Sequence, residues 1–178
     1  VASNLLAAAL AVALTATGSR VEIIDRVLAV VNGVMLTQTD VFGAMAFGFV
    51  ESRPSGSGEA DPIQSALDQL IDRELVLGEV NRYQPPEPSE DAIAARADAI
   101  RARFPSAEAY RRAMTSTGFS EERIRAAARD EIRIETYFDQ RFGAAVQPDD
   151  RQILVADWKA GLRRRADVTI QYQPRSKP

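Results

Sequence analysis

The chain contains no cysteine and no histidine. The first absence excludes a disulfide, a thiol nucleophile and a lipid-anchored cysteine. The second removes the commonest general base and the commonest metal ligand. A Ser-His-Asp triad, a Cys-His pair and a zinc site built on His or Cys are therefore impossible within it. No catalytic, metal-ligating or cofactor-binding set is expected. A surplus of basic charge is also missing. There are 22 Lys and Arg against 25 Asp and Glu, a net charge of −3, which argues against nucleic acid as the main partner. What remains is a chain of 178 residues, 46% apolar and 26% charged. That is the composition of a globular domain and too apolar for disorder.

The first 19 residues form an apolar, Ala- and Leu-rich segment centred on Leu5 to Leu14. It has the length of a signal-peptide core and is too short to span a bilayer. Ala16, Thr17 and Gly18 supply small residues where cleavage needs them, although no Lys or Arg precedes Leu5. Export is the expectation, with residues 1–19 as a signal peptide, 20–178 as one domain, and no stable membrane insertion.

Asp25-Arg-Val-Leu-Ala-Val-Val-Asn-Gly-Val-Met-Leu-Thr37 reads as a β-hairpin. Its β-rich apolar run is broken by Asn32-Gly33, the pair suited to a type I′ turn with φ > 0 at both central residues. Two strands are marginal alone. The other convincing strand, Asp167-Val-Thr-Ile-Gln-Tyr-Gln173, lies at the far end and alternates Val168, Ile170 and Tyr172 on one face. Both ends of the chain are thus expected to meet in one small sheet, with a helical excursion between them.

The helices announce themselves by caps. Thr37 with Asp40, Asp61 with Pro62, Ser89, Ser106, Ser120, and Gln147 with Pro148 each stand before an apolar-periodic stretch. The expected helices are Gln38–Val50, Pro62–Tyr83, Ser89–Phe104, one from Ser106 to near Gly118, Ser120–Phe142, and a last one ending at Arg163-Arg-Arg165. Ser52 to Asp61 is a loop by composition. In the second helix Ile63, Leu67, Leu70, Ile71, Leu75, Leu77 and Val80 cover more than one stripe, so it should be central, with Asp72, Arg73 and Glu79 exposed. Gly43 and Gly48 weaken the first helix and permit a close approach. The fold class is mainly α, closed by a small sheet.

Three groups invite a chemical reading. Arg163, Arg164 and Arg165 could bind phosphate, but cations in the last turn of a helix meet its negative end. Glu121-Glu122 and Asp149-Asp150 could be acid–base carboxylates, but acids in a first turn are favoured electrostatically. Tyr137, Phe138 and Phe142 fit a ligand surface and a packed core equally well.

The succession of Arg26 to Gly33, Leu36-Thr-Gln-Thr-Asp40, Ala66-Leu-Asp-Gln-Leu-Ile-Asp-Arg-Glu-Leu-Val-Leu77, a Pro-rich break, Ser89-Glu-Asp-Ala-Ile93 and Thr117-Gly-Phe-Ser120 before a long helix resembles the N-terminal domain of the SurA-type periplasmic chaperones. That domain is related in architecture to the peptide-binding part of trigger factor. The likeness runs over residues 24–145, and Val155 to Arg163 with Val168 to Tyr172 resembles the family's closing helix and strand. Many members carry parvulin-type prolyl isomerase domains before the last helix; here five residues, Gly143 to Gln147, stand there. The resemblance implies the chaperone module alone, without isomerase activity. It implies a periplasmic location and, as partners, extended aromatic-rich segments of unfolded polypeptides such as outer-membrane β-barrel precursors. Candidate groove residues are Phe42, Met45, Phe49, Tyr110, Met114, Phe119, Tyr137 and Phe138, large or flexible side chains on helices least able to bury them all. The alternatives are an assembly subunit meeting one fixed partner or itself, as a homodimer, and a truncated isomerase working with a separate parvulin chain.

Overall fold

The computed structural model describes residues 25–51, 61–143 and 147–174. The expected signal segment and all of the Ser52–Asp61 loop except Asp61 lie outside the described residues. Six helices and a three-stranded antiparallel sheet make up the rest. The elements run β1 (Val27–Val31), β2 (Val34–Thr37), α1 (Gln38–Phe47), α2 (Pro62–Tyr83), α3 (Glu90–Arg101), α4 (Ala107–Thr117), α5 (Glu121–Phe142), α6 (Pro148–Arg165) and β3 (Val168–Ile170).

The two ends of the chain do meet in one sheet, of order β2-β1-β3. Asn32 and Gly33 both hold positive φ, 48° and 88°, as a type I′ turn requires. The turn also anchors the far end of the chain. The Asn32 amide donates to the Asp167 carbonyl at 2.8 Å, and the Asp167 amide donates to the Asn32 side chain at 3.0 Å. β3 is shorter than the alternation suggests, because beyond Ile170 the amides of Gln171 and Tyr172 both donate to one acceptor, the Leu28 carbonyl, where β1 carries an irregularity in its register.

The caps form as the sequence indicates except at α6, where Gln147 makes no side-chain cap bond and Pro148 alone marks the start. Thr37 and Asp40 make a reciprocal capping box at α1. Asp61 accepts from the Ile63 amide ahead of Pro62, and Ser89, Ser106 and Ser120 each accept from the amide three residues on. α1 stops at Phe47, three residues short of the expected Val50. Gly48 takes a left-handed φ of 73°, and the Phe49 amide turns back to the Ala44 carbonyl at 2.9 Å, a Schellman ending. The Arg103 guanidinium donates to the Phe47 and Gly48 carbonyls beyond that end.

α2, about 33 Å long at 1.5 Å per residue, is the central helix and packs on α1, α5, α6, β1 and β2. It buries Leu67, Leu70, Ile71, Leu75, Val76 and Val80 against Leu28, Ala29, Val31 and Leu36 of the sheet and Leu162 of α6. A second cluster joins α3, α4 and the first half of α5 through Ile93, Ala97, Ile100, Tyr110, Ile124 and Ala128, with Phe47 contributed by α1. Arg96 ties α3 to α5 by a two-pronged bond to Glu135 and a third contact to Glu131. Asp72, Arg73 and Glu79 are half-buried rather than exposed, because α5 and α6 cover the faces of α2 that carry them.

Candidate functional site

Two rosettes of aromatic rings flank α2. In the first, Phe47 is ringed by Phe49, Phe104, Tyr110 and Phe119 at centroid distances of 5.4 to 6.4 Å. In the second, Tyr137, Phe138 and Phe142 of α5 meet Trp158 of α6 at 5.7 to 5.9 Å, and Tyr83 closes on Tyr137 at 5.4 Å. The Gly48 ending of α1 separates neighbours: Phe47 is buried in the first rosette, while Phe49 is half-buried and packs against both apolar clusters.

A cavity of about 380 Å³ is lined by one ring of each rosette. Phe49 comes from one rosette and Phe138 from the other, with Val76 of α2 and Ile134 of α5 as further apolar walls. Gln69 holds the chain at this rim. Its amide accepts from the Glu51 amide at 2.8 Å and donates to the Glu51 carbonyl at 3.0 Å, as a neighbouring strand would. A second cavity, about 210 Å³, adjoins the first across Phe49 and Arg73, which line both. Its apolar walls include Leu36, Leu77, Phe119 and Ala127. The Phe119 ring stacks on Phe47 at 5.5 Å and lies over Gly43, the close approach that glycine permits.

The charges differ between the two. At the first cavity stand Arg73 and Lys159, with Asp72 held by Arg163 at 3.0 Å and with Glu51. At the second stand Asp40, Glu74 and Asp130 with Arg73 and Arg123. Asp40 pairs with Arg123 at 2.7 Å. Burial raises the pKa of both Glu74 and Asp130. The charge of Asp130 adds to the shift at Glu74, and Arg73 opposes it at both.

Of the eight candidate groove residues, Phe49, Phe119 and Phe138 line these adjoining cavities. Phe42 lines a separate one of about 430 Å³ with Leu28, Ile63 and Tyr172. Met45 and Met114 are half-buried against the first and second apolar clusters. Tyr110 and Tyr137 are each 3% exposed. Tyr110 donates to Glu121 at 2.9 Å inside its rosette, so both tyrosines serve the interior. The open question about Tyr137, Phe138 and Phe142 thus divides by residue: Tyr137 is core, while Phe138 and Phe142 are half-buried.

Arg73, Gln69, Val76, Ile134 and Lys159 were not singled out from the sequence. Ile134 recurs at helical spacing with Phe138 and Phe142, Arg73 was expected only to be exposed, and nothing local marks the other three. Arg163 is more than a last-turn cation: it forks onto Asp68 at 2.6 Å and Asp72 at 3.0 Å of α2. Glu121 likewise does more than favour a helix start, reaching Arg101 as well as Tyr110. No helix among the described residues is long and apolar enough to cross a membrane. Comparison of the chain with protein-family models gave no match, and comparison with proteins of curated function gave none.

Proposed function

We propose that this protein is a non-catalytic chaperone module that holds extended, aromatic-rich segments of unfolded polypeptides in the groove between α2 and α5, in the periplasm. One observation carries the reading: Phe49 and Phe138, from two separate aromatic rosettes, line one open cavity, and Phe49 with Phe119 continues it into a second. Half-buried rings in adjoining cavities suit client side chains entering one after another. Apolar burial supplies affinity there with little sequence readout. A 380 Å³ cavity is at the small end of ligand sites, the size for a single large side chain. Both outer strands of the sheet, β2 and β3, are edges where an extended chain can add. The order of motifs that resembles the SurA-type domain agrees with this reading, and outer-membrane β-barrel precursors are the first clients to try.

The test is aggregation suppression by the purified chain, with an unfolded outer-membrane β-barrel and an unrelated unfolded protein as clients. The reading expects both to be held soluble at similar ratios, with no acceleration of prolyl isomerisation. Protection of neither overturns it.

A second reading, an assembly subunit with one fixed partner or a homodimer, is favoured by a different observation. Large apolar side chains stand exposed away from the groove: Met35 at 62% beside Val34 in β2, and Ile153 at 61% beside Leu154 in α6. Sedimentation of the chain alone, and of M35S and I153S variants, tests it. A dimer abolished by either substitution would support this second reading.

A further inference from the structure

Several arginines that link one element to another meet a carboxylate: Arg96, Arg123, Arg133, Arg151 and Arg163 all do so within 4 Å. The two cations of the first cavity have no ion pair among the described residues. Arg73 donates to the Ala127 carbonyl at 3.2 Å, and Lys159 stands 5.9 Å above the Phe138 ring. Asp72, on the same lining, shares Arg163 with Asp68, and Glu51 is the second acid there. Across the Phe49–Arg73 partition acids predominate: Glu74 and Asp130 stand on the lining with Arg73, beside the Asp40–Arg123 pair. From this arrangement, and resting on the peptide-binding reading above, we infer that the first cavity selects client segments in which an aromatic residue is next to an acidic one. The ring enters between Phe49 and Phe138, and the carboxylate meets Lys159 and Arg73.

The acid belongs to a side chain within the segment rather than to a chain end. The two cavities adjoin, so a bound chain passes on over Phe49 instead of stopping at it. The excess of acid on the second lining fixes which end of the groove takes the acid, because the same carboxylate placed there would face Glu74 and Asp130. A chain of net charge −3 has no general attraction for acidic segments. A preference for them must therefore come from local groups.

The experiment is fluorescence anisotropy with three dye-labelled, end-blocked peptides. They share one aromatic pair and differ only in its flanking residue: Glu, Gln or Lys. Wild type should bind Glu over Gln over Lys, by about two- to fivefold per step at low salt, the range of a partly exposed ion pair. The spread should narrow at high salt. Lys159→Glu should reverse the order, Lys159→Gln should flatten it, and Arg164→Glu, an exposed charge change away from the cavity, should leave it as in wild type. Near-ultraviolet circular dichroism confirms that each variant is folded. Equal binding of all three peptides to wild type overturns the selection while leaving peptide binding intact. So does an order unchanged in Lys159→Glu. Binding of none of them overturns the peptide-binding reading as well.

Discussion

Gly43 gives the sharpest test of the packing beside the groove. A Cβ placed there would lie 2.1 Å from Cδ2, 2.4 Å from Cε2 and 2.8 Å from Cγ of the Phe119 ring. Carbon atoms rest at about 3.5–4.0 Å, so the ring would have to retreat by about 1.5 Å. It is not free to do so. Phe47 stacks on it at 5.5 Å, Phe49 leans on it at 6.1 Å, and the Arg123 guanidinium sits 5.1 Å from its centre. Overpacking of this kind costs about 1–3 kcal/mol, against a gain of about 1 kcal/mol from replacing glycine by alanine in a helix. Gly43→Ala should therefore lose up to about 2 kcal/mol. Phe119→Ala alone should cost about 2–3 kcal/mol, near or below the lower end for a fully buried ring because Phe119 is half-buried. In the Phe119→Ala background Gly43→Ala should become stabilising, by up to about 1 kcal/mol. Urea unfolding of the four proteins, compared through their midpoints at equal m, closes the cycle. An equal loss in both backgrounds, or a gain in the wild-type background, would refute the contact as the reason for glycine.

Arg163→Ala should lower stability by about 0.5–1 kcal/mol, since its two carboxylate partners are themselves more than a third exposed; the loss should shrink in 1 M NaCl when unfolding is repeated there. Glu74 has a raised carboxyl pKa from burial and the nearby charge of Asp130. Its ionised form therefore costs stability above that pKa, and the cost is relieved as pH falls through it. Glu74→Gln should raise Tm at neutral pH and lose that advantage on acidification, as a pH series of melts would read. Asp61 runs the other way. The Tyr172 hydroxyl is the main cause of its lowered pKa. Its stabilisation is present above the ordinary carboxylate range and is lost as pH falls through the lowered value. Tyr172→Phe should therefore destabilise at neutral pH and much less in acid.

The hairpin, the caps and the central helix were legible because each is written in local chemistry. Asn32-Gly33 admits positive φ, Thr37 and the serines offer hydroxyls to free amides, and α2 carries apolar residues on several faces. The end of α1 was misplaced because Phe49 and Val50 continue an apolar pattern that Gly48 interrupts only through its backbone. The groove was legible in part. Large half-buried rings could be named, but nothing in the sequence distinguishes Phe49 from Tyr110, whose hydroxyl is satisfied by a glutamate 11 residues away. That Arg73 and Lys159 line a cavity was invisible for the same reason. On a solvated face they would be ordinary cations, and only the packing of α5 and α6 against α2 turns them onto a cavity.

The central claim is that unfolded chains lie against Phe49, Phe119 and Phe138. Site-specific photo-crosslinking tests it most directly. A photoreactive phenylalanine is placed singly at those three positions, at the exposed positions Ala95 and Arg112, and at Met35 and Ile153, with an unfolded outer-membrane β-barrel as the client. Crosslinks are expected from positions 49, 119 and 138 and none from 95 or 112. Crosslinks confined to positions 35 or 153, or spread evenly over all seven, would contradict it.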